Sequence, residues 1–273
     1  MHRLSGQLPI SVRDSAFNHL FSLRKVQASI RRRWEKIGNS SQLHNPINQD
    51  WVASTKSKLA LWREAISLHG DQSGPFGYLR PLWMKKLYDY SVVMLMQEKR
   101  WYLSPEDIQL ILEAVTEVCL SFRQVQEEGH IMCYTWPAVS EVLNPFLETM
   151  LIKDIKLVFQ FRAGVMLLYA YWITPIALRS DRHWAQETQS AIFACARSIS
   201  SFSTRWKDAL VYRDTFELLM MQTVSWSTMT HRVYLPEQNV SASLKNCLQQ
   251  LKNQHLNKTL LAVIEEMASE SIA

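Results

Sequence analysis

Glycine is scarce: 7 residues in a chain of 273, less than half the usual share of ~7%. Doubly wound nucleotide-binding folds spend glycines on the loops that hold phosphates, so that class is a poor match. Cysteine is scarce as well. The four, Cys119, Cys133, Cys195 and Cys247, form no CxxC pair and have no zinc-site spacing. There is no P-loop, no G-x-S-x-G and no HExxH, and no paired-aspartate motif of the kind that holds magnesium in all-helical isoprenoid enzymes. A spanning helix needs ~20 mostly apolar residues. The most apolar stretch, residues 163–178 (AGVMLLYAYWITPIAL), is shorter, contains Pro175 and abuts Arg162, so it is expected as a buried central helix. The first residues, MHRLSGQLPISVRDSAF, lack the apolar core of a secretory signal, so the thiols are expected to be reduced and intracellular.

What the chain has is helical periodicity. Hydrophobic residues make up 47% and aromatics 11%, enough for a sizeable core, and no segment alternates apolar and polar residues as a strand does. The spacing predicts helices over 13–37, 50–68, 78–101, from 105 on, 134–152 (interrupted at Pro145), 154–173, 184–203 and 205–230, with a polar stretch from Pro236 and a C-terminal amphipathic helix. No fixed-period repeat and no Gly/Ser linker divides them. The expected fold is all-α, an irregular multi-helix array around an aromatic-rich core, with 1–235 as the main domain and 236–273 as polar linker plus amphipathic helix.

Charge is uneven. Residues 1–36 hold eight Lys/Arg against Asp14 and Glu35, so the remaining chain is slightly acidic although the whole carries +5. On the first helix Ala16, Leu20, Leu23, Gln27, Ile30, Trp34 and Ile37 follow a strict 4-3 spacing, one narrow stripe whose only polar member is Gln27. Lys25, Arg32 and Lys36 fall on the opposite side. Arg31, Arg32 and Arg33 point three ways on a helix, which argues against groove binding and for a solvated face. Short basic runs of this kind also serve in nuclear import.

Other candidates read as structural. His130 and Cys133 lie close but lack further ligands, and single acids such as Glu141 and Asp154 are commonly surface residues. No catalytic, cofactor-binding or metal-binding residue is assigned, and no enzyme activity is expected. On a helix from 205, Trp206, Ala209, Leu210, Phe216 and Met220 form an apolar face with Arg213 in its middle. Either its stem snorkels to water, or it is buried and, since an unpaired buried guanidinium is too costly, paired with a carboxylate, Glu217 or an acid from another helix, with Asp214 also near. Gly164, inside a helix, costs ~1 kcal/mol against alanine, which close helix–helix approach would offset.

Several segments, in order, resemble the regulatory domain of fungal zinc-binuclear-cluster (six-cysteine) transcription factors. Residues 19–30 (HLFSLRKVQASI) are similar to that family's Leu-Arg…Gln…Ile helix, 59–63 (LALWR) to its Trp-Arg element, and 88–95 (YDYSVVML) to its Tyr-rich helix. Residues 159–172 (FQFRAGVMLLYAYW), then Cys195 and residues 205–217 (RWKDALVYRDTFE), resemble its C-terminal motifs. The match covers about residues 13–220. The family's two CxxC pairs and the early part of its regulatory domain are absent from this chain, and Leu95-Met96-Gln97-Glu98 stands where the family has Leu-Tyr-Arg-Pro.

The resemblance implies a nuclear, N-terminally incomplete regulatory domain that acts through protein contacts. Its partners would be transcription machinery, a related regulator or a second copy, in control of a metabolic or secondary-metabolite gene cluster. It implies no cofactor, no membrane and no sequence-specific DNA binding by this chain alone. The contrasting expectation is an all-helical enzyme or small-molecule binder with a pocket lined by Trp101, Trp136, Tyr169 and Trp172.

Overall fold

Helical periodicity with no strand alternation leaves the backbone one way to satisfy its polar groups. In the computed structural model, no strand occurs among the described residues, which are 10–37, 46–69, 81–97, 103–127, 148–174, 182–227, 237–254 and 256–269. They form nine α-helices: α1 (Ile10–Ile37), α2 (Pro46–Glu64), α3 (Pro81–Gln97), α4 (Pro105–Glu127), α5 (Glu148–Ile173), α6 (Arg182–Ser203), α7 (Leu210–Ser227), α8 (Glu237–Asn253) and α9 (Lys258–Ser269). A 3₁₀ turn (Ala65–His69) extends α2, and another (Lys207–Ala209) precedes α7. Most of the helix expected over 134–152, with Pro145, lies outside the described residues, as do Trp101, His130, Cys133, Trp136 and Glu141. Asp154 falls within α5.

The chain divides into two compact units, Met1–Tyr102 with Met132–Tyr134, and Leu103–Ile131 with Thr135–Ala273. In the first, α1, α2 and α3 pack on one another. The α1 stripe is buried through its middle, at Leu23, Gln27 and Ile30. On α2, Val52, Thr55, Leu59, Trp62 and Ile66 recur every three or four residues and are all buried, the spacing of one helix face. Helix α3 is buried nearly all round from Met84 to Gln97, with Lys86, Asp89 and Gln97 among the buried side chains.

In the second unit, α4, α5 and α6 pack against each other in all three pairings, and α7 lies on α5 and α6. The start of α4 is a reciprocal cap: the Asp107 N–H donates to Ser104 Oγ (3.2 Å) and the Ser104 N–H donates to the Asp107 carboxylate (3.3 Å). Pro105 occupies the first helical position, where its missing N–H costs nothing. The apolar stretch that begins at Ala163 is the most deeply buried part of α5, and the helix ends at Ile173, just before Pro175, since a residue preceding proline is disfavoured in helix. No helix of the described residues is long and apolar enough to cross a membrane. On α6, Ala191, Ile192, Cys195, Ile199 and Phe202 are buried, at the spacing of one helix face.

Residues 237–269 carry two helices rather than a linker and one. Helix α8 packs on α7 through Leu244, Leu248 and Leu251, and α9 reaches α5 through an apolar face with Leu260, Ile264 and Met267. Asn257 caps α9, its side-chain oxygen accepting from the N–H groups of Thr259 (2.9 Å) and Leu260 (3.2 Å). A Lys252–Glu265 ion pair (2.7 Å) ties the two helices together.

The described residues do not show the aromatic-rich core expected from the composition. Among the described residues rings meet in pairs, such as Phe161 edge-on to Tyr212 (5.0 Å) and Phe202 stacked with Trp206 (5.2 Å). Of the largest fully buried side chains only Phe161 and Phe216 are aromatic, and the rest are Leu, Ile and Met.

Gly164 sits where α5, α6 and α7 cross. A Cβ there would run into the Cys195 sulfur and come within 2.6 Å of a Phe216 ring carbon. Gly164→Ala should therefore lower stability by about 1–3 kcal/mol, the usual cost of overpacking, even though alanine is the better helix former. A denaturant midpoint equal to or above the parent's would show that the crossing relaxes freely.

Candidate functional site

Two buried polar networks and one charged surface stand out. In the first unit the Arg24 guanidinium donates to Gln27 Oε1 (2.6 Å), the Gln27 amide donates to Ser91 Oγ (2.8 Å), and the Ser91 hydroxyl donates to the Leu87 carbonyl (2.6 Å). The lone polar residue of the α1 stripe is thus satisfied at both ends of its amide. Burial, with Arg31 nearby, makes the charged form of Arg24 less favourable than in water. The Trp62 indole N–H donates to the His19 carbonyl (2.7 Å) while the His19 ring stacks on Trp62 at 4.2 Å. Arg63 lies over the Tyr88 ring at 5.1 Å.

The second network surrounds the Gly164 crossing. The Cys195 thiol donates to the Gln160 carbonyl (3.5 Å) and lies beside the Cys119 thiol. Burial pushes the Cys195 thiol well above its ordinary range, Cys119 adds to the rise, and the Gln160 amide opposes it. Nucleophilic attack and metal ligation both need a thiolate, so the site is built to keep Cys195 protonated and inert. The Gln160 side chain is itself fully buried, and neither its nitrogen nor its oxygen makes a hydrogen bond. Gln160 was not singled out in the sequence; the signal was a side-chain amide on a mostly apolar helix, one turn before Gly164.

Arg213 has the carboxylate neighbours expected of it, and of its two expected placements the structure shows the solvated one. Its guanidinium donates to Asp214 through Nη2 (2.6 Å) and Nε (2.9 Å), with Glu217 at 4.0 Å, and the side chains are 34%, 46% and 45% exposed. The group is solvated and held by its sequence neighbour, which raises its pKa. The projected apolar face fails because the helix does not start at 205. Residues 204–209 form a turn and a 3₁₀ segment, and α7 begins at Leu210, so a rotation of 100° per residue carried through them loses phase. The buried face of α7 is Val211, Tyr212, Thr215, Phe216, Leu219 and Thr223, whereas Leu210 is 37% exposed.

The charged surface is on α1. Arg24 turns in to Gln27, and Arg33 donates to Asn48 (2.7 Å) and lies over the Trp51 ring at 5.7 Å. Lys25, Arg31, Arg32 and Lys36 are exposed. Phe21 is exposed as well, at 56%. Tyr169, expected to line a pocket, is buried with its hydroxyl donating to Glu266 (3.0 Å) and its ring tilted against Trp172 (5.8 Å). No group of His, Cys, Asp and Glu among the described residues could hold a metal ion. Comparison with family models, curated proteins and solved structures finds no match.

Two substitutions test these environments. Arg213→Ala and Arg213→Met should each change stability by no more than about 1 kcal/mol, as for exposed ion pairs. A loss of ~3–5 kcal/mol would instead mark a buried pair. Gln160→Met keeps the length of the side chain and removes the unsatisfied amide, so it should raise stability by about 1–2 kcal/mol. A destabilised Gln160→Met protein would mean that the amide has a partner in solution, such as an ordered water.

Proposed function

We propose that this chain is a regulatory module of the kind found in fungal six-cysteine transcription factors, acting in the nucleus through protein contacts. What supports it is that the side chains carrying the resemblance touch one another across helices. Gln27 of the first motif bonds Ser91 of the third, and Arg63 of the second lies on Tyr88 of the third. Gly164, Cys195 and Phe216, one from each C-terminal motif segment, meet at a single crossing. Residues that recur together in a pattern because they pack together would be arranged in this way.

Such a module works by binding other proteins and changing the output of a promoter. Its solvated α1 face and its inert Cys195 fit a binding role better than a catalytic one. Fused to a heterologous DNA-binding domain, the full chain should raise or lower expression from a reporter bearing the matching sites. Output equal to that of the DNA-binding domain alone, at equal protein level, would refute the proposal.

A further inference from the structure

The exposed side of α1 holds more than charge. At 100° per residue, Phe21, Lys25, Arg32 and Lys36 fall within a stripe of about 60°, and over a rise of 1.5 Å per residue they span about 22 Å. All four are exposed. Ser29 and Ser22 flank the stripe on one side, about 20° and 40° past Lys36, and are exposed too, and between residues 21 and 36 no acid falls within it. Among the described residues Lys25, Arg32 and Lys36 form no ion pair; the Arg32 Nε–H only reaches back to the Ala28 carbonyl (3.3 Å). An uncompensated row of three cations, begun by a solvent-exposed phenyl ring, is an incomplete interface in both charge and apolar surface.

We infer that this stripe is a docking surface for an acidic amphipathic helix that carries an apolar anchor, the partner contact that the regulatory reading above requires. Complementarity fixes the occupant. The cations are separated by seven and four residues, so a helix laid alongside meets them with carboxylates at the same spacing on its own face. One turn beyond, its apolar residue covers Phe21. A nucleic-acid backbone would neutralise the cations, but a row of phosphates offers nothing apolar to the ring. A bilayer surface would accept the ring, but a single phenyl group is too little apolar surface to hold a helix at the interface.

The test is fluorescence anisotropy with the full chain and a labelled helical peptide of about twenty residues, its glutamates spaced seven and four apart and a leucine one turn beyond. Binding should weaken with salt. Charge reversal in Lys25→Glu/Arg32→Glu/Lys36→Glu should weaken it at least about tenfold, since attraction becomes repulsion. Phe21→Ser and leucine-to-serine in the peptide should each weaken it about threefold or more, and together no more than either alone, because they remove one shared contact. Circular dichroism checks that the exposed-site variants stay folded. Should the charge-reversed chain fail to fold, the neutral set Lys25→Gln/Arg32→Gln/Lys36→Gln replaces it, with a loss of about threefold or more expected.

Failure of the peptide to bind would overturn the inference. So would binding that ignores Phe21, or tighter binding of a single-stranded oligonucleotide or of anionic vesicles at matched charge. The reporter fusion keeps the two proposals apart. A fusion that regulates equally with and without charge reversal removes the docking surface and leaves the regulatory role. A fusion that never regulates, with the peptide still bound through Phe21 and the cations, does the reverse.

Discussion

The absence of a single Cβ at residue 164 sets the geometry of the second unit. Three helices approach that point at once, and the space an alanine methyl would need is taken by the Cys195 sulfur and the edge of the Phe216 ring. Helices packed through ordinary side chains stand 8–10 Å apart, and closer approach requires a residue without one. The neighbours are matched to the gap: on the α6 side a thiol, small and apolar when protonated, and on the α7 side a flat ring whose edge fits where its face would not. Burial that keeps Cys195 protonated is therefore part of the same packing solution, since a thiolate would carry an unpaired charge into the centre of the unit. What lies outward depends on this crossing. Helix α8 rests on α7, and α9 is anchored to α5 by its apolar face and by the Tyr169–Glu266 hydrogen bond.

Two buried glutamines show opposite solutions to the same cost. Gln27 spans two helices with both ends of its amide bonded, and so sets the register of α1 against α3 as well as the distance between them. Gln160, on the most apolar helix, has its backbone carbonyl engaged by Cys195 and its side chain without a bond. A satisfied amide specifies an arrangement, whereas an unsatisfied one only penalises the folded state. The first is consistent with selection for a defined interface between helices. The second is a local defect in the most tightly packed part of the molecule.

Much of the helical array was legible in the sequence because it depends on short-range rules. The stripe on α1 and the buried central stretch of α5 each follow from spacing within a few residues. The tight crossing at Gly164 was legible because glycine inside a helix needs a compensating contact. What was not legible depended on phase or on long range. Residues 204–209 look helical in composition, yet a turn and a 3₁₀ segment interrupt them, so Trp206 and Ala209 lose phase with α7, where Arg213 stands on the solvated side. The aromatic count suggested a ring-filled core, but ten tryptophans in a sequence do not say whether rings will cluster, and those described meet in pairs beside aliphatic side chains. The division at residue 102 has no linker composition to announce it. The docking stripe was half visible: its cations were placed on the outer face, but Phe21, off the apolar stripe on the same outer face, was not singled out.

A run of basic residues is not a basic surface, and α1 shows why. Three consecutive arginines on a helix diverge by 100° at each step, so each meets a different environment. Arg33 is drawn in to Asn48 and the face of Trp51, where it serves packing. Arg31 projects to one side, close enough to Arg24 to make that buried guanidinium's charge more costly. Arg32 alone of the three joins Lys25 and Lys36 in a line. The large positive charge counted over the first 36 residues thins to three aligned cations on one convex helix. It is enough to steer and orient a partner whose own charges recur at helical spacing, with an apolar contact at one end to fix the register.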